Sequence, residues 1–248
     1  MKRTVTIFQI FLLVFGAFLI ISTRPAFAGN NIELPLGFAQ AEFEDLSRQV
    51  GLAISYTPLA PAEPLGLLGF DIGVEFTAVH IDANESFWIS AVGKKPPSYL
   101  GFPKLHAQKG LPLGIDVGVV YAKAPGSNVG LIGGELKWAF WKGSTVTPAL
   151  ALRGDYTKLT GVDDIDMNVT GADISISKGF ANVTPYAGIG KVWISSEEKS
   201  SLVALDKVSL TETKSFVGVK ITLFVISFVA EADFSEVPSY SGRLNLSF

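Results

Sequence analysis

From Tyr240 to Phe248 the chain alternates between two kinds of residue without a break. Tyr240, Gly242, Leu244, Leu246 and Phe248 fall in one set, and Ser241, Arg243, Asn245 and Ser247 in the other. An extended chain sends successive side chains to opposite faces, so this segment predicts a strand with one oily face and one wet face. The same period of two recurs upstream. Leu52, Ile54 and Tyr56 alternate with Ala53, Ser55 and Thr57, and Phe70, Ile72, Val74 and Phe76 with Asp71, Gly73, Glu75 and Thr77. Lys104, His106 and Gln108 oppose Leu105 and Ala107. Ile115, Val117, Val119 and Tyr121 oppose Asp116 and Gly118, and Leu136, Trp138 and Phe140 oppose Glu135 and Lys137. Leu152 and Tyr156 oppose Arg153 and Asp155, and Val217, Val219 and Ile221 oppose Gly218 and Lys220. Phe228, Ala230 and Ala232 oppose Glu231 and Asp233. Turn residues separate the segments, and the pattern predicts an all-β chain.

One segment breaks parity. Met167 and Val169 are odd-numbered, whereas Ala172, Ile174 and Ile176 are even. A bulge at Gly171 would restore a single apolar face. The run Val183–Ile194 reads equally well on either face.

The opposite end of the chain carries an export pattern. Lys2 and Arg3 precede a mostly apolar run, Ile7–Ile21, and Ala26-Phe27-Ala28 has small residues where a signal peptidase needs them. Residues 1–28 are therefore expected to be a cleaved secretory signal peptide, with 29–50 as an N-terminal segment and 51–248 as the main body. Phe43, Leu46 and Val50 recur at helical spacing within Ala39–Val50, which predicts a short amphipathic helix, periplasmic or plugging a lumen. Cysteine is absent, which excludes a lipid-modified cysteine and any disulfide framework.

Charge and hydropathy narrow the class further. The leader holds Lys2, Arg3 and Arg24, leaving 17 basic residues against 23 acidic. An acidic chain is poorly suited to nucleic acid, so no such partner is expected. Past Ala28 no apolar run reaches the roughly 18 residues of a spanning helix. Yet 48% of the chain is hydrophobic, with 25 glycines and 18 phenylalanines. An exported, hydrophobic chain without a spanning helix can cross a bilayer only as a closed barrel, because every backbone polar group must pair internally.

With its aromatic last residue, the Tyr240–Phe248 strand resembles the C-terminal insertion signal of Gram-negative outer-membrane β-barrels. Tyr240, Leu244, Leu246 and Phe248 are the residues that carry the likeness. Signal, alternation, glycine and aromatic content together make the chain resemble a small Gram-negative outer-membrane β-barrel. That resemblance implies a transmembrane antiparallel up-and-down barrel in the cell outer membrane. Its implied partners are outer-membrane lipid, periplasmic chaperones and the barrel-assembly machinery.

Such barrels have an even number of strands and keep both termini in the periplasm. About eleven segments alternate, so one passage is missing. A further strand in Asn31–Phe38, or a passage of Ala39–Val50 through the lumen, would supply it; about 12 strands are expected, with 10 as the alternative. Turns at Trp141–Ser144, Phe180–Asn182 and Leu223–Val225 are short and expected in the periplasm. Ile81–Gly101, Lys158–Asp164 and Ser195–Glu212 are expected as longer outer loops, with a short hairpin at Ala124–Asn128.

If the apolar faces meet lipid, the lumen receives Asp71, Glu75, Lys104, His106, Asp116, Glu135, Lys137, Arg153, Asp155, Asp173, Lys220, Glu231, Asp233 and Arg243. Both signs are present, so the set predicts either a salt-bridged, plugged interior or a narrow path with charge selectivity. Phe70–Phe76 and Ile115–Tyr121 repeat one pattern, in which an inward Asp precedes an inward Gly. With only His80 and His106 and no nucleophile motif, no enzymatic activity is expected. Asp82, Asp163, Asp164 and Asp166 lack calcium-loop spacing, and no metal or cofactor is expected. Two readings follow. One is a narrow channel or transporter for small or hydrophobic solutes, with a likeness in architecture alone to hydrophobic-compound transporters. The alternative to that first reading is a structural or adhesive barrel with a charge-plugged lumen and partner-binding outer loops.

Overall fold

The computed structural model describes residues 32–124 and 126–248; the expected signal peptide, 1–28, lies outside the described residues. Ten strands form a closed barrel. They are β1 (Phe70–His80), β2 (Tyr99–Gly110), β3 (Ile115–Lys123), β4 (Gly130–Trp141) and β5 (Ala149–Thr160), followed by β6 (Ile165–Ser177), β7 (Val183–Glu198), β8 (Val208–Leu223), β9 (Ile226–Phe234) and β10 (Ser239–Ser247). Each pairs antiparallel with its chain neighbours, and β1 pairs β10 from Asp71↔Ser247 to Val79↔Ser239. Closure leaves no edge strand in the ring. Backbone bonds between Phe70 and Phe248 in both directions, with their rings stacked 4.7 Å apart, finish the seam at one rim. We call that rim lower and the opposite one upper.

The count is therefore the alternative of ten rather than twelve, and the reason lies at residues 32–69. Residues 32–38 form neither strand nor helix. A helix, α1 (Gln40–Ile54), follows, with the Glu42 carboxylate accepting the Ala39 N–H at 3.1 Å. Leu52–Thr57, expected as a strand, is the last turn of α1 and the start of an irregular segment. Pro58, Pro61 and Pro64 recur at every third residue there. Proline has no N–H, so this stretch cannot join a central ladder. It runs inside the barrel instead.

Side chains alternate as the sequence implies. Ile72, Leu105, Val119, Ile132, Leu136, Leu152, Ile174, Ile189, Val217 and Leu246 are exposed on the outer wall, and the intervening residues fill the inside. Aromatic side chains border this apolar belt. Tyr121, Tyr156, Trp193 and Tyr240 lie towards the upper rim, and Trp141, Phe180, Phe224 and Phe248 at the lower, all exposed. β7 and β8, of 16 residues each, are the longest strands, and the upper outer face of β8 turns polar at Thr211 and Thr213.

Gly171 is not a bulge. β6 pairs both neighbours in unbroken register, with Met167 and Val169 facing inward and Ile174 and Ile176 outward. The parity of the apolar residues switches because the upper interior is itself apolar. There Phe43, Leu46, Val50 and Ile54 of α1 share a core with Met167, Val169, Val192, Ile194 and Val208 of the wall. The same arrangement resolves β7, whose Tyr186, Val192 and Ile194 face inward. Gly51 lets α1 approach the wall, since a Cβ there would stand 2.6 Å from Ile194 Cγ2.

Loop lengths also differ from expectation. The upper connection 81–98 holds a second helix, α2 (Ser86–Val92), but β5 and β6 extend towards each other and leave only 161–164. Likewise β7 and β8 shorten the third expected loop to 199–207. Connections at the lower rim are short turns, down to Phe224-Val225 between β8 and β9.

Candidate functional site: a charged lumen closed by the N-terminal segment

Below α1 the interior changes from apolar to charged, and residues 55–65 descend through it as a strap. Its prolines reduce the number of N–H donors that need partners inside the barrel. Three of those that remain are met by the wall. The Leu59 N–H donates to Glu231 Oε2 at 2.9 Å, Glu63 N–H to Ser177 Oγ at 3.2 Å and Leu65 N–H to Asp116 Oδ1 at 3.1 Å. Strap carbonyls are met in the same way. Arg243 Nη2 donates to Leu59 O at 2.6 Å, and Lys137 Nζ to the carbonyls of Pro61 at 2.8 Å and Glu63 at 3.0 Å. Lys214 Nζ reaches the Tyr56 carbonyl at 2.5 Å. Strap side chains add further contacts, among them Tyr56 Oη with His106 Nε2 at 2.8 Å, Lys104 Nζ donating to Thr57 Oγ1 at 3.2 Å and the Gly179 N–H donating to Glu63 Oε1 at 3.1 Å.

The same wall charges are paired among themselves. Lys104–Glu75 stands at 2.8 Å, Lys137–Asp116 at 3.0 Å, Arg153–Glu135 at 3.2 Å and Arg153–Asp173 at 3.7 Å. Lys214–Asp233 at 3.5 Å and Lys220–Asp71 at 3.4 Å continue the series. Asp71 also accepts from Asn245 and Ser247, both at 2.8 Å, and Tyr186 donates to Glu231 at 2.6 Å. Gln108 donates to Glu135, and Arg243 bonds His106. An isolated charge here would be costly, and removing one partner of such a pair strands the other. The network therefore ties strap and wall into one unit.

All fourteen sequence-predicted lumen residues face inward. Asp155, Asp173 and Lys220 are half-buried, and the rest are buried. Asp155 and Asp173 border a recess next to Ser55, Tyr56 and Lys214. The repeated Asp–Gly pattern separates into two jobs: Asp116 holds the strap, and Asp71 locks β10 to β1 and β8. Tyr240, Leu246 and Phe248 are exposed on the outer wall, with Leu244 half-buried between them.

Lys214, Tyr186, Tyr56 and Thr57 also belong to the site, and the sequence reading did not single them out. Extending the even-numbered parity of β8 back from Lys220 finds Lys214. The other three were hidden by the ambiguous face of β7 and by reading Leu52–Thr57 as a strand. His80 packs against Tyr99 at the upper rim, the rings tilted and 4.9 Å apart, and His106 contacts Tyr56 and Arg243 rather than a serine. Among the described residues no group of acids and histidines is arranged to hold a metal. Asp164 accepts the Leu34 N–H at 2.9 Å, and Asp166 pairs with Lys158 at 3.4 Å.

Above the strap, α1 and the upper connections form a cap. Trp88 Nε1 donates to Gln49 at 2.9 Å, and Gln40 bonds the backbone of Asp206. Arg48 meets Asp45 at 2.7 Å and Glu212 at 3.2 Å. Burial alone would lower the Arg48 pKa, but the carboxylates of Glu236, Asp45 and Glu212 outweigh it and hold the group above its ordinary value. A cleft of about 540 Å³ beside the cap is lined by Asp45, Gln49, His80, Asp82, Glu85 and Glu236.

A closed antiparallel barrel with an apolar outer belt, aromatic borders at both rims and a polar interior has the architecture of an outer-membrane β-barrel. No family model and no curated protein matches the sequence. Similar solved structures include Ail, the attachment invasion locus protein of Yersinia pestis, in complex with the heparin analogue sucrose octasulfate. It is 13% identical, with 73% of this chain and 97% of that one covered at a TM-score of 0.30. Neisserial surface protein A is 8% identical over 72% and 95%, at 0.31. The translocator domain of autotransporter NalP from Neisseria meningitidis is 8% identical over 84% and 96%, at 0.36. Scores this low carry no argument, and the assignment of architecture rests on the geometry above.

Proposed function

We propose that this protein is an integral barrel of the Gram-negative outer membrane whose lumen is closed at rest, and that it serves a structural or partner-binding role through its capped upper face. The observation that carries this reading is the strap, whose backbone is bonded by Glu231, Arg243, Lys137 and Asp116 along the charged interior. A solute would have to displace both the strap and the apolar seat of α1. Short turns at the lower rim and the long connection 81–98 at the upper support an orientation with the upper rim outside the cell. On this reading residues 1–28 are removed on export, the chain reaches the membrane through periplasmic chaperones and the assembly machinery, and it is not an enzyme.

A narrow channel or transporter for small or hydrophobic solutes is the second reading. It is favoured by one feature: wall side chains, not a strand ladder, hold residues 55–65, so the strap can leave without breaking the barrel. Planar-bilayer recording separates the two. The full chain is expected to give no steady conductance, and deletion of residues 32–65 to open one. Steady conductance by the full chain would overturn the closed-lumen reading. Orientation is tested with single cysteines in this cysteine-free chain. Asn84→Cys should react with an impermeant maleimide in intact cells, and Ser144→Cys only after permeabilisation; the reverse would invert the topology.

A further inference from the structure

On the outer wall, an apolar groove of about 240 Å³ lies across β1, β2 and β3, lined by Val74, Phe76, Pro103, Leu105 and Tyr121. It exists because the β2–β3 ladder stops there. The two strands pair from Gly110↔Asp116 up to Lys104↔Ala122 and no further. Pro103, the next residue of β2, has no N–H to donate. Phe76 faces outward yet is only 7% exposed. Its ring lies over Gly101, where a Cβ would stand 2.6 Å from Phe76 Cζ. Glu75 and Lys104 contribute to the groove's lining but turn their charges inward to each other at 2.8 Å. The exposed Lys123 is therefore the charge at the groove's upper edge. Nearby on the upper outer wall is the tilted ring pair His80–Tyr99.

We infer that this groove holds one acyl chain of a phosphorylated glycolipid of the outer leaflet, with the phosphate at Lys123. The inference rests on the membrane placement and orientation proposed above. An apolar trough alone would take any acyl chain. The cation at its upper end selects an anionic head, because a charge-assisted contact to phosphate is stronger than a neutral one. A leaflet facing the upper rim supplies that head as a phosphorylated sugar.

The test is native mass spectrometry of the full barrel in detergent with added lipid A, the same lipid with its phosphates removed, or phosphatidylglycerol. One lipid A should remain bound in preference to the other two. Lys123→Glu should lower its retention roughly tenfold, the scale of one lost charge-assisted bond, while Lys158→Glu, at the upper end of β5, leaves it unchanged. Leu105→Trp, which fills the groove, should lower retention of both the phosphorylated and the dephosphorylated lipid. Equal retention of the dephosphorylated lipid or of phosphatidylglycerol, or an equal loss in Lys158→Glu, would overturn the proposal. Heat-modifiable mobility is read on every variant. A wild-type chain that never forms an inserted barrel would fail the membrane reading itself, whereas an inserted barrel without lipid preference would fail this inference alone.

Discussion

Arg243 on the final strand donates to the carbonyl of Leu59 at 2.6 Å, joining residues 184 positions apart in the chain. The same guanidinium bonds Asn245 at 3.0 Å and His106. Arg243 is thus where the C-terminal strand, β2 and the strap meet. Arg243→Ala leaves a buried carbonyl without its donor, which costs about 1–3 kcal/mol. The urea midpoint of the refolded barrel should fall, and protease should reach the strap first. An unchanged midpoint would remove Arg243 from the account.

Lys137 is shared between Asp116 and two strap carbonyls. Lys137→Met strands a fully buried carboxylate, a loss of roughly 3–5 kcal/mol. Asp116→Asn made in that background should return part of it, because the remaining amide is neutral. A double variant as unstable as the sum of the two single ones would show that the pair is not coupled.

Gly51 sits inside α1, where alanine ordinarily favours a helix by about 1 kcal/mol. Here the added methyl meets the buried Ile194 side chain, and overpacking of this kind costs about 1–3 kcal/mol. Gly51→Ala should therefore destabilise the wild type. In an Ile194→Ala background the sign should reverse. Stabilisation in both backgrounds would mean that α1 does not seat against β7.

Phe248 stacks on Phe70 at the lower seam. Phe248→Ser removes that contact and the aromatic end of the terminal strand. Outer-membrane yield should fall and periplasmic degradation rise. Unchanged yield and heat-modifiable mobility would argue that the residue is dispensable for insertion.

The wall was legible in the sequence because a period of two survives wherever one face meets lipid and the other a polar interior. That rule placed Asp71, Lys137 and Arg243 on the inside without any contact being known. It failed where the interior is apolar. Met167, Val169, Val192 and Ile194 look like lipid-facing residues, since nothing in the local pattern reveals that α1 will cover them. Leu52–Thr57 alternates by coincidence of the end of a helix with the head of the strap. The better signal was Pro58, Pro61 and Pro64, a spacing incompatible with a barrel strand directly after a helix. That the strap then lies inside the barrel is long-range information, carried by Glu231 and Asp116 far along the chain.

The central claim is that residues 55–65 run through the lumen, bonded to its wall, and amide hydrogen exchange in lipid nanodiscs tests it most directly. The Leu59 and Leu65 amides belong to no strand ladder, yet they donate to the buried carboxylates of Glu231 and Asp116. They should exchange slowly, at rates like those of barrel-strand amides, and Asp116→Ala should speed Leu65 while leaving the β5 amides protected. Leu59 and Leu65 exchanging as fast as the exposed amide of Gly126 in the β3–β4 hairpin, while the strands stay protected, would contradict the account.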